Sequence, residues 1–216
     1  MRRLLGLLLL LLLIQPPLAG AQRVRLTITD TVDARGRRVP LIFTPNILRD
    51  ERWLETVQNS FPLRMEFRVE IWRVRTDWFD ALERAFEWGI VIQFEPLTDQ
   101  YTKSEEWGGA LRRETTFGSL PELERNLELG QQVSITPAGT GEYYFTATLR
   151  LRTLSDDEME ELERFLQGNP DPVERERGSV FSRAMRRLVA RLGGLPFDQL
   201  EARSRRFTVP VRPGEE

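Results

Sequence analysis

The chain of 216 residues contains neither histidine nor cysteine, and that decides most of the chemistry open to it. Ser-His-Asp and Cys-His nucleophilic arrangements are excluded. So are His/Cys zinc sites, Cys-held iron–sulfur clusters and thiol redox pairs. No Walker loop and no dinucleotide-binding glycine pattern occurs. Paired carboxylates, a serine–lysine dyad and oxygen-ligated metals remain. Lys103 is the only lysine, and Ser104 follows it. Adjacent side chains of an extended segment point apart, so the two read as an exposed loop pair. Two carboxylates held about 5 to 9.5 Å apart could hydrolyse a glycosidic bond, and acids lie in many segments. The densest run, Asp156 to Glu163, reads as the solvated face of a helix. Asn169 to Pro172 (NPDP) lacks the spacing of a calcium loop. No cofactor and no metal is expected.

Binding chemistry is better represented than reactive chemistry. Trp72, Trp78, Tyr101 and Tyr144 are candidates for the floor of an aromatic groove, against the plainer reading of aromatic core and strand pairing. The segment Ser179 to Gly193 sets Phe181, Met185, Leu188, Val189 and Leu192 against Arg183, Arg186, Arg187 and Arg191. Those four arginines are a candidate anion or membrane surface. The competing reading docks this helix on the protein's own sheet with the arginines outward. The formal net charge is −2, which implies no nucleic-acid partner.

The elements that would position these residues are mostly strands. In FPLRMEFRVEIWRVR, Met65, Phe67, Val69 and Ile71 alternate with Arg64, Glu66, Arg68 and Glu70. Period two is the signature of a half-buried strand. At Trp72 and Val74 the apolar residues change parity, as a β-bulge or a cover on the opposite face would produce. Val24, Leu26 and Ile28 repeat the alternation, as do Ile90, Ile92 and Phe94, then Val133 and Ile135, then Tyr143, Phe145, Ala147, Leu149 and Leu151. Pro137 to Glu142 (PAGTGE) reads as a hairpin turn joining the last two. WGGALRRETTF and QLEARSRRFTVP read as further strands. Helices are expected at SLPELERNLELG, with a capping box at Ser119 and Glu122, and at SDDEMEELERFLQG, with a box at Ser155 and Glu158. Another is expected after Asn46, carrying Trp53, Leu54 and Val57; TDWFDALERAFEWG reads as a helical turn behind Asp77, with the end of one strand, a turn and the start of the next as the alternative. Gly168 to Gly178 reads as a polar linker.

The chain begins with two arginines, a leucine-rich run from Leu4 to Ile14, and Ala19-Gly20-Ala21. This is the layout of a secretory signal peptide, and the run falls short of the roughly 20 residues that span a bilayer. An uncleaved signal anchor is the alternative. Removing residues 1–21 takes away two Arg and no acid, moving the net charge from −2 to −4. An exported chain without cysteine has no disulfide to lean on. The division expected is 1–21 signal peptide, 22–154 β-sandwich core, and 155–216 a helical C-terminal extension ending in a strand that packs on the same domain. The fold class expected is mainly β with helical additions (α+β): an antiparallel, immunoglobulin-like or curled two-layer β-sandwich.

Several phrases, in order, resemble an exported bacterial family known as domain of unknown function 4390. They are Thr29-Asp30, Phe61-Pro62-Leu63, Trp78-Phe79-Asp80, Leu97-Thr98-x-Gln100-Tyr101, Phe117 with Leu120, and Leu149 to Arg152, within about residues 24–155. The chain departs from that pattern at Ser60, where the family phrase has glycine, and carries fewer aromatics around Trp78. Its part beyond Leu154 looks different. The resemblance implies export, a periplasmic or cell-envelope location, and no established activity. Members are often encoded beside a membrane sensor kinase of the nitrogen-regulation type, which suggests an accessory role to such a kinase. The function expected is a non-enzymatic periplasmic module that binds an envelope protein. The alternatives are a carboxylate-based hydrolase of cell-wall glycan and an anionic-membrane-surface binder, the membrane being reached through the basic C-terminal helix or an uncleaved signal anchor.

Overall fold

The computed structural model describes residues 24–153 and 197–210. The leader, the helices read at Ser155–Gly168 and Ser179–Gly193, and the linker between them lie outside the described residues. Among the described residues, ten strands form two antiparallel sheets. The larger contains β3 (Leu63–Arg73), β4 (Ala81–Glu95), β5 (Gln100–Trp107), β6 (Ala110–Phe117), β8 (Gly141–Arg152), β9 (Phe197–Arg203) and β10 (Phe207–Val209). Its order is β10-β8-β3-β4-β5-β6, with β9 also paired to β8. The smaller contains β1 (Thr27–Val32), β2 (Arg38–Phe43) and the two-residue β7 (Gln131–Gln132), in the order β1-β2-β7. The fold is an open two-layer sandwich of the α+β class.

The alternation seen in the sequence is the alternation of burial. Leu63, Met65, Phe67, Val69 and Ile71 of β3 are buried, as are Tyr143, Phe145, Ala147, Leu149 and Leu151 of β8 beside them. Ile28 and Ile42 of the smaller sheet, and Leu26 just before β1, join the same core. Each such side chain contributes about 1.5–3 kcal/mol over leaving it exposed. The opposite face of β3 is wet, and its charges pair along the strand and across it: Arg68 with Glu70 of the same strand and with Glu87 of β4, Glu66 with Arg152 of β8.

The break at Ile71-Trp72 is a bulge, and it lies in the partner strand. Ile71 faces Arg84 while Trp72 faces Leu82, which leaves Glu83 without a counterpart. The extra residue re-aims a side chain: Glu83 accepts hydrogen bonds from the Tyr143 hydroxyl and the Ala138 amide, both at 3.2 Å. Trp72 itself is covered on the wet face by the Tyr144 ring, stacked at 6.4 Å.

Two short helices pack at the sandwich. α1 (Glu51–Gln58) buries Trp53, Thr56 and Val57. Its cap is not Asn46, as the sequence suggested, but Asp50, whose side chain accepts the Arg52 amide. Asn46 instead precedes a 3-10 turn, Ile47–Arg49, and makes no side-chain capping bond. α1 ends in a Schellman arrangement: the Phe61 amide reaches the Thr56 carbonyl and the Ser60 amide the Val57 carbonyl. Ser60 therefore sits at φ +63°, the left-handed region that favours glycine. This accounts physically for the glycine of the family phrase. α2 (Leu120–Leu127) buries Leu123 and Leu127 behind Ser119. The expected capping box does not form: the Ser119 side chain makes no capping bond, and Glu122 accepts the amide of Gly118, one residue before the cap, at 3.2 Å.

Two other expectations fail. TDWFDALERAFEWG is not a helical turn. It is the loop after β3 and the start of a fifteen-residue strand. Alternating Ala, Glu and Arg gives no helical stripe strong enough to compete with eleven residues of pairing partner in β3. PAGTGE is not a hairpin turn either: the preceding strand β7 pairs with β2, and β8 pairs with β3, β9 and β10. Val133 and Ile135 are buried as read, but in chain that carries no ladder of its own.

Candidate functional site

A three-stranded layer cannot roof a seven-stranded one. β7 ends the smaller sheet after two residues, and the inward face of β4 and β5 beyond it opens as a cleft of about 440 Å³. β4 contributes Phe86 and Trp88; β5 contributes Lys103, Glu105 and Trp107; the chain from Leu129 to Ser134 forms the facing wall. Positions i, i+2 and i+4 of a strand share a face, which is why Lys103, Glu105 and Trp107 all line it. Phe86 lies 5.8 Å from Trp88 and meets Trp107 edge-on at 5.7 Å. Trp88 stacks on Phe67 of the core at 4.6 Å, and its indole N–H donates to Gln131 Oε1 at 3.2 Å. Trp107 is 48% and Leu129 63% exposed, so both lips are apolar.

Lys103 is the polar anchor of this cleft. It is not the exposed loop residue that its neighbour Ser104 suggested. It stands in β5 with its side chain 9% exposed. Its ammonium donates to Asn126 Oδ1 at 2.6 Å and pairs with Glu105 at 3.0 Å. An ammonium has three hydrogens, so one remains for an occupant. Ser104, its neighbour on the strand, points the other way, toward Glu114. The useful signal was the spacing Lys103, Glu105, Trp107 in QYTKSEEW, three residues of one strand face. The facing wall is brought close by Gly130, where a Cβ would lie 2.6 Å from Phe43 Cε1. The chain can pass over Phe43 and Leu41 there only without a side chain.

The opposite, wet face of the larger sheet holds a shallower depression of about 560 Å³ lined by Glu66, Arg68, Glu87, Gly89, Glu106 and Arg150, among others. Glu66 and Glu106 flank Gly89 from the strands on either side. Glu66 is engaged by Arg152, and Glu106 has no ion pair among the described residues. Nearby, burial of Glu70 favours its neutral form, but Arg68, the Trp72 indole and the Thr146 hydroxyl together hold its pKa below the ordinary 4.5.

The four aromatics read as a groove do not line one surface. Trp72 and Tyr144 are stacked neighbours on β3 and β8. Trp78 stands 74% exposed in the loop between β3 and β4. Tyr101 sits at the other end of β4, against Phe94 at 4.8 Å. Arg183, Arg186, Arg187 and Arg191 lie outside the described residues. Among the described residues no helix is long and apolar enough to cross a membrane, and no group of three or more acidic residues is placed to hold a metal.

A family model described as Domain of unknown function (DUF4390) matches residues 29–159. No curated protein and no solved structure matches the chain.

Proposed function

The chain belongs to the DUF4390 family, and on that premise we propose that it is a non-enzymatic interaction module of the bacterial envelope, exported to the periplasm, that takes an extended segment of a partner protein into the cleft beside β7. The observation that carries this reading is the unroofed aromatic cleft: Phe86, Trp88 and Trp107 form its apolar surface, and Lys103 offers a single charged donor. Clefts of a few hundred Å³ with aromatic walls and few polar groups are the usual form of a binding site. The edge of β7 supplies main-chain groups for strand addition, and side chains of alternate parity would then point at the floor. The partner class suggested by the family resemblance is a membrane sensor kinase.

Photo-cross-linking in cells tests the reading. A cross-linker at position 107 should give an adduct with one envelope protein, and the adduct should fall at least tenfold when Lys103 and Phe86 are replaced by Met and Ser. A cross-linker at Leu97, 99% exposed in the turn between β4 and β5, should give none. Equal adducts from both positions would overturn it. A second reading, carboxylate-based hydrolysis of cell-wall glycan, has Glu66 and Glu106 on either side of Gly89 in its favour. It requires glycan turnover that Glu106→Gln abolishes.

A further inference from the structure

The loop that joins β3 to β4 carries Trp78 and Phe79, 74% and 86% exposed, with their rings 6.5 Å apart and edge-on. Two large apolar side chains held in water at one point call for an apolar phase outside the molecule.

The loop is not slack. Asp80 accepts the Tyr144 hydroxyl at 3.0 Å and the Arg75 amide at 3.4 Å, and lies 4.0 Å from Arg203. Arg203 stacks on the Tyr144 ring at 3.6 Å, and Tyr144 stacks in turn on Trp72. The Val74 amide donates to the Glu142 carbonyl at 2.8 Å. This brace fixes the base of the loop to the sheet and leaves the two rings projecting.

The charge around the base is uneven in its commitments. Asp80 is held by Tyr144 and Arg203, Glu83 by Tyr143 and Ala138, and Glu142 by Arg206. Asp77 has no such partner, and neither do the guanidinium groups of Arg75, Arg84 and Arg205 among the described residues. Hydrogen bonds from a hydroxyl and an amide leave Glu83 charged, so at the base of the loop Arg73, Arg75, Arg84, Arg203 and Arg206 stand against Asp77, Asp80, Glu83 and Glu142, an excess of one positive charge.

We propose that the Trp78-Phe79 loop is a membrane-docking tip, inserting its two rings at the headgroup boundary of an anionic bilayer while Arg75 meets a lipid phosphate. A protein partner fits less well. The rings bury about 150–250 Å² each, well below the roughly 800 Å² per side of a stable protein interface. A lipid interface asks only for shallow apolar insertion and nearby cations. This surface is distinct from the cleft.

The test uses the full chain with vesicles of phosphatidylglycerol or of phosphatidylcholine, their acyl chains brominated to quench tryptophan. Phosphatidylglycerol should quench emission, phosphatidylcholine should quench it far less, and added salt should weaken the effect. Trp78→Phe should remove the quenched component while leaving flotation intact. Trp78→Ser with Phe79→Ser should reduce partitioning more than tenfold, and Arg75→Gln about fivefold. These side chains are exposed, so the fold should persist in every variant. Quenching that survives in Trp78→Phe would assign the docking to another segment, such as residues 1–21, and overturn the proposal. An unquenched wild type, as expected if the tip serves a protein instead, would overturn it equally.

Discussion

Ser204 tests whether the larger sheet is closed as described. It lies between β9 and β10, where neither strand reaches Phe145 of β8. The Ser204 amide donates to the Phe145 carbonyl at 2.9 Å, and the Ser204 hydroxyl oxygen accepts the Phe145 amide at 2.9 Å. The hydroxyl also donates to the Arg205 carbonyl at 2.8 Å. One serine thus bridges a gap in the ladder with main chain and side chain together. Phe145 is fully buried and Ser204 is 7% exposed, so water does not readily replace the oxygen. Ser204→Ala strands the Phe145 amide, and an orphaned buried donor costs about 1–3 kcal/mol. At about 2–4 °C per kcal/mol for a chain of this size, the midpoint of thermal unfolding should fall by several degrees. Urea titration should show the loss at unchanged slope, and hydrogen exchange should show the Phe145 amide losing protection more than its ladder neighbours. A loss under about 0.5 kcal/mol, the level of an ordinary surface substitution, with Phe145 still slow to exchange, would refute the reasoning.

Ser60→Gly should stabilise the protein. It relieves a left-handed backbone strain of roughly 1–2 kcal/mol and gives back about 0.5–1 kcal/mol through the unfolded chain, a net gain of up to about 1 kcal/mol that a urea midpoint can register. Glu70 should make the fold sensitive to acid. Its folded pKa lies below 4.5, so the stability it contributes is present above 4.5 and is lost as pH falls through the folded value. The urea midpoint should therefore decline below pH 4.5, less steeply in Glu70→Gln.

The strands were legible because burial and alternation are the same fact for a strand with one dry face. Met65 to Ile71 and Tyr143 to Leu151 needed no other information. The bulge was legible too, as a break in parity, although its extra residue, Glu83, lies in the partner strand, where a single-strand reading cannot look. What failed depended on tertiary pairing. Ala81 to Glu87 became strand because β3 was there to pair with it. Val133 and Ile135 looked like one arm of a hairpin, but β8 was already committed on both edges. The cleft was the hardest to read. Lys103 and Trp107 are polar and apolar members of one face, and only the shortness of β7 leaves that face open.

The order β10-β8-β3-β4 sets a clock on maturation. The middle of the sheet is assembled from residues 63–73, 141–152 and 197–209, so the chain must be available through residue 209 before β8 has both neighbours. Distant pairings of this kind close slowly, on the order of milliseconds to seconds in small β proteins. For that interval β8 offers a bare, oily margin to any other strand nearby. A copy clipped just before residue 197 would lack both strands that cover that margin among the described residues, which makes residues 197–209 guardians of its solubility.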